Sequence, residues 1–137
     1  MTDARGTLVH IGEVAERTGL SHRTIRYYEE MGLVEPAART EGGFRLYDEA
    51  AIGRLLLIMP MKPLGFSIEQ IRALLGALDT LAAPVSGADG RVAAQAYVEQ
   101  THASARERIA ELKAATARAE AFTRRLGRVQ PHDRTSL

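Results

Sequence analysis

Gly19 and Ser21 stand two residues apart between two short segments of helical periodicity, and they leave room for one tight turn between them. Ile11, Val14 and Ala15 give the first segment an apolar face. Gly19 ends it, because the left-handed residue that closes a helix costs glycine nothing. Ser21 caps the second segment, its hydroxyl accepting a backbone N–H that the first turn leaves without a partner. The second helix is predicted to run to Met31 and to stop at Gly32. Two short helices joined by about three residues that include a glycine form a helix-turn-helix, whose second helix enters the major groove of DNA.

That second helix carries His22, Arg23, Thr24, Arg26, Tyr27 and Tyr28. Arginine bonds guanine edges or phosphates, and threonine and tyrosine hydroxyls reach phosphates. Ile25 and Tyr28 are expected to share the buried face, Arg23 and Tyr27 an exposed one. Taken alone, the segment is equally a surface helix whose arginines pair with Glu29 and Glu30. The segment from Leu33 to Tyr47 bears on that choice. Leu33-Val34 starts a short strand, Glu41-Gly42-Gly43 makes a turn, and Phe44 to Tyr47 is a returning strand. A hairpin placed directly after a recognition helix is a wing. Arg39 at its tip, with Arg45 and Tyr47 on its return strand, completes the set of candidate DNA contacts.

The run SHRTIRYYEEMGLVEPAARTEGGFRLYDE resembles the DNA-binding domain of the MerR family of transcriptional regulators, and the later GFSIEQIRALL resembles that family's fourth helix. The resemblance implies a mainly α fold, a winged helix-turn-helix domain over residues 8–80 with a small hairpin wing, and a long helix that pairs antiparallel with a second subunit. It also implies a mechanism. A homodimer bound to double-stranded promoter DNA distorts a promoter whose two elements are misphased, and realigns them for the RNA polymerase holoenzyme on the same DNA. Some folds of this type bind co-chaperones instead, so a protein-interaction module that binds no DNA is the alternative. Where members of the family commonly carry a charged or polar residue, this chain has Pro60.

Asp48 or its neighbour should cap a third helix with Ile52, Leu55, Leu56 and Met59 as its buried stripe, kinked or stopped at Pro60. Ser67 should cap the fourth, with Gln70 at capping-box spacing. Pro84, Ser86 and two glycines mark 81–90 as a linker loop. Beyond it, 91–127 is a helix whose Val98, Ala105, Leu112, Ala119 and Leu126 recur at heptad spacing, with His102, Ile109 and Thr116 between them and Phe122 beside the seam. One such helix cannot bury its own stripe. Val98, Ala105, Ile109, Leu112, Ala119, Phe122 and Leu126 are therefore the expected dimerisation residues, and a helix folding back on its own domain is the alternative. Residues 1–7 and the tail 128–137 are expected to be flexible.

The net charge of +1 excludes binding by bulk charge. Up to Phe66 there are eight Arg and Lys against nine Asp and Glu, so any grip on DNA depends on where the cations stand. With no cysteine, disulfides, thiolate metal sites and cysteine nucleophiles are excluded, and with them the cysteine-based sensing of metal or redox state known in the resembled family. The four histidines show no metal-ligand spacing. No nucleophile elbow, phosphate-binding loop or dinucleotide fingerprint occurs, so no enzyme activity and no cofactor are expected. A small-molecule effector is left open: Met59, Met61, Tyr97 and Phe122 could line a pocket for one, or could equally be core and interface residues. Without a signal-type or membrane-spanning apolar run, the chain is expected to be cytoplasmic.

Overall fold

The computed structural model describes residues 7–84 and 87–129. Of the two ends expected to be flexible, all but Thr7, Arg128 and Val129 lies outside these residues. The chain divides into two units, Met1–Val98 and Glu99–Leu137.

The first unit opens with strand β1 (Val9–His10) and helices α1 (Ile11–Thr18) and α2 (His22–Glu30). The turn between the helices is built as the sequence predicts. Gly19 takes φ 77° and returns its N–H to the Ala15 carbonyl at 2.8 Å. The Ser21 hydroxyl accepts from the Thr24 N–H at 3.1 Å. Thr18 is buried inside the turn without penalty, because its hydroxyl donates to the Val14 carbonyl and accepts from the Leu20 N–H. The second helix closes with Gly32 at φ 75°, where the N–H groups of Gly32 and Leu33 fold back onto the Glu29 and Tyr28 carbonyls. This is a Schellman closure, and it turns the chain sharply out of α2.

Leu33 and Val34 do not start a strand as expected. Both are buried core residues in an irregular connection, and strand β2 forms later, at Ala38–Arg39. It pairs antiparallel with β3 (Arg45–Tyr47), and β1 pairs with the other edge of β3. The wing is thus part of a three-stranded sheet in the order β1-β3-β2, with Val9 opposite Tyr47 and Ala38 opposite Leu46.

Helix α3 (Glu49–Ile58) is capped by the Asp48 carboxylate, which accepts from the Ala51 N–H at 2.9 Å. It ends where Pro60 predicts, passing into a 3-10 turn over Met59–Met61. Its buried face is Ala51, Ile52, Leu55 and Ile58, whereas Leu56 and Met59 of the expected stripe are exposed. Helix α4 (Ile68–Ala82) starts with a complete capping box of Ser67 and Gln70 and sends Ile71 and Leu75 into the same core. That core joins Val14, Ile25, Tyr28, Tyr47, Ile52, Leu55 and Met61, so α1, α2, the wing root and α3 share one buried cluster.

The linker is shorter than the predicted 81–90. Helix α4 continues through Ala82, and α5 (Ala88–Arg128) already contains Asp89 and Gly90. Arg91 spans the junction, donating from Nη1 to the Leu81 and Ala83 carbonyls at 3.1 and 3.4 Å. Helix α5 has 41 residues and carries on into the second unit.

Candidate nucleic-acid interface

Helix α2 buries Ile25 and Tyr28, and this fixes which of its side chains remain outside. His22, Arg23, Arg26 and Tyr27 are exposed, Tyr27 at 45%. Thr24 serves the cap as well as the outer surface: it is half-buried and lines the same cleft as Arg23 and Tyr27, its backbone N–H bonds the Ser21 hydroxyl, and its own hydroxyl accepts from Ser21 at 2.9 Å. The exposed residues meet two different neighbours. Arg23 and Tyr27, four residues apart, line a cleft of about 450 Å³ whose other wall is Lys62, Phe66 and the Ser67 cap of α4. The Tyr27 ring leans on Tyr28, with centroids 5.9 Å apart at 49°. Arg26 is the one nearer the wing, where its charge is felt by the Tyr47 hydroxyl.

The wing is fastened to α2 by Glu29. This carboxylate is only 11% exposed and accepts from Arg45 Nε at 2.6 Å and from the Tyr47 hydroxyl at 3.1 Å. Arg39 approaches the same carboxylate at 3.9 Å and donates to the Gly43 carbonyl at 3.4 Å across the wing turn. A buried carboxylate needs such partners, because charge out of water is costly unless paired and hydrogen-bonded. The Glu29 contact raises the Arg45 guanidinium above its ordinary value. Burial, with the Glu29 charge added, pushes the Tyr47 hydroxyl up to about 12.

These contacts correct one predicted site residue. Tyr47 is fully buried with its hydroxyl committed to Glu29, so it supports the wing and presents nothing to a ligand. Arg45 is two-thirds covered, with its Nε edge turned to Glu29. Arg39, at 54% exposed, is the more open of the two wing arginines. Three residues outside the expected set of DNA contacts take part: Glu29, Lys62 and Ser67. Glu29 sits in the helix, but its partners are 16 and 18 residues away, and no local pattern pairs them.

Along α5, Val98 lies in the first unit and is half-buried. In the second unit Ala105 and Leu112 are half-buried, while Ile109, Ala119, Phe122 and Leu126 are exposed. Of the residues considered for an effector pocket, Met61 is core, Tyr97 is half-buried, and Met59 and Phe122 are exposed. Among the described residues no group of three or more His, Asp or Glu could hold a metal ion. Nor is any described helix long and apolar enough to cross a membrane.

Residues 9–78 match the MerR HTH family regulatory proteins. Over 69 residues the chain is 45% identical to the mercuric resistance operon regulatory protein of Bacillus cereus, an alignment that covers 50% of this chain and 52% of that relative. The chain spans about half the length of the curated relatives it matches. It also superposes on the transcription regulator PbrR691 from Ralstonia metallidurans CH34 in complex with lead(II), with TM-score 0.54 and 34% identity, covering 85% of this chain and 86% of that one. HiNmlR, a MerR family regulator lacking the sensor domain and solved bound to promoter DNA, has the same fold, with TM-score 0.65 and 24% identity over 90% and 95% of the two chains.

Proposed function

The chain belongs to the MerR HTH family of regulatory proteins, and from that premise we propose that it is a sequence-specific DNA-binding transcriptional regulator that acts as a homodimer. The observation that carries this reading is the outer surface of α2, where His22, Arg23, Arg26 and Tyr27 are exposed while Ile25 and Tyr28 hold the helix to the core. A helix so mounted presents guanidinium forks and a hydroxyl to a groove. Arg39 and the free edge of Arg45 serve the flanking phosphates from the wing, and Lys62 does so from beside the α4 cap, where a helix N-terminus favours anions. On this reading α5 pairs two subunits through Ala105, Ile109, Leu112, Ala119, Phe122 and Leu126, with Val98 at the start of the seam. The dimer then bends promoter DNA at an elastic cost of a few kcal/mol, offset by contacts on both half-sites. RNA polymerase holoenzyme shares that promoter, and the protein acts in the cytoplasm. The chain holds no cysteine, so an effector would be recognised without thiolates.

The test is to select duplexes from a random-sequence library with the full chain and to footprint what it retains. An inverted repeat is expected, bound more weakly as salt rises. Arg23→Ala should weaken the selected duplex by about tenfold or more and random DNA far less, because only base contacts carry sequence information. Equal losses on both would make Arg23 a phosphate contact. If the library yields no preferred sequence and the chain instead retains a protein partner, the protein-interaction reading replaces this one.

A further inference from the structure

The local sequence of α2 works against its own C-terminal end. A helix leaves its last carbonyls unpaired, and its negative end favours cations. The last turn of α2 carries no basic residue and holds Glu29 and Glu30. Guanidinium groups reach this end from other elements. Arg72 of α4 donates from Nη2 to the Met31 carbonyl at 2.6 Å. Arg54 of α3 donates from Nε to the Leu33 carbonyl at 2.7 Å. Arg54 is in turn gripped by α4, since its Nη1 and Nη2 fork onto the two Asp79 oxygens at 3.0 and 3.1 Å. Arg72 and Asp79 are about two turns apart on one face of α4, ~10 Å along its axis. Helix α4 therefore holds the chain leaving α2 at two separated points, one directly and one through Arg54. Two points fix a direction where one would leave a pivot.

We propose that Arg72 and the Arg54–Asp79 pair are positioning residues for sequence recognition: they hold the exit of α2 so that its exposed side chains meet base edges in register. The proposal rests on the DNA-binding reading of α2. Base-edge hydrogen bonds fail once distance or angle drifts. Phosphate contacts through long, flexible cations tolerate a small rotation and supply most non-specific affinity. Releasing the clamp should therefore cost specificity while leaving non-specific binding in place, which general destabilisation would not do.

The experiment uses the full chain, a duplex selected by the wild-type protein, and a random-sequence duplex of equal length. An exposed ion pair adds little to fold stability, so Asp79→Asn keeps the protein folded, and its melting temperature serves as the control. Asp79→Asn and Arg72→Gln should each weaken the selected duplex by about tenfold and the random duplex by less than about twofold. Asp79→Glu, which keeps the carboxylate, should restore most of the loss. Equal losses on the two duplexes, or no loss on either, overturns the proposal. A wild-type protein that enriches no sequence overturns the DNA-binding reading itself, and is distinguishable because it is seen before any substitution is made.

Discussion

The two units of this chain handle apolar surface in opposite ways. In the first, side chains from α1 to α4 and the wing root converge on one core, and Val14, Ile25, Tyr47, Leu55 and Ile58 are wholly enclosed. In the second, no described residue is buried, and Ile109, Phe122 and Leu126 stand exposed along a helix whose ion pair between Arg108 and Glu111 is itself on the surface. Tertiary packing supplies most helical stability in proteins. The first unit is therefore stabilised from within its own sequence. The second depends on what covers its stripe, and the heptad spacing of that stripe suits another helix.

Substitutions on either side can undo this contrast. The largest effect should come from Leu112→Asp, which places an unpaired charge in the stripe proposed to pair two copies of α5, where its burial would be strongly opposed. Sedimentation should show the wild type as a dimer at micromolar concentration and the variant as a monomer. A monomeric wild type would end the pairing account of α5. A smaller effect, about 2–5 kcal/mol, is expected for Leu55→Ala, which removes a fully enclosed side chain from the core. Its melting temperature should fall by roughly 10 °C or more, while its oligomeric state below melting should stay that of the wild type. A dimer lost along with stability would mean that the two regions are not separable.

The smallest expected effect lies at the wing root, inside the self-sufficient unit. Tyr47 is protonated in the folded chain up to about 12 and has an ordinary value of 10.0. Its folded value is raised, so its contribution is complete below pH ~10 and is lost as pH climbs toward 12. Denaturant midpoints measured from pH 9 upward should decline across that window. In Tyr47→Phe, the part of the decline due to this hydroxyl should be missing. An identical decline in both proteins would assign it to other groups.

What is legible in the sequence is local. The Gly19 closure, the Ser21 cap, the Asp48 cap and the Ser67–Gln70 box each depend on residues within four positions of one another, and that spacing is enough to predict them. The wing shows where this ends. Alternation along Arg45-Leu46-Tyr47 correctly places Arg45 and Tyr47 on one side, but a charged residue there suggests that the side faces water. It faces α2, because Glu29 waits there, and only the folded chain brings the two together. Phe44, the apolar residue just before them, is the one left 69% exposed. Likewise Arg54 finds Asp79 25 residues away and Arg72 finds Met31 across 41. Single-residue chemistry says that these side chains need partners and does not say which ones they find. The α3 stripe differs from expectation for a related reason: Leu56 fits the period as well as Ile58 does, and packing against α1 and the wing decides between them.

Strand β1 has only two residues, yet it bears on the order of assembly. Its partner Tyr47 lies 38 residues further on, and helices α1 and α2 lie between them. Pairing such distant segments costs loop entropy that nearby contacts do not. Helices α1 and α2, joined by one tight turn, can meet first, and doing so shortens the gap that β1 must close. The pairing of Val9 with Tyr47 is then expected after the two helices have met, and pulse-labelled hydrogen exchange should show amide protection at this pair later than within α1 and α2.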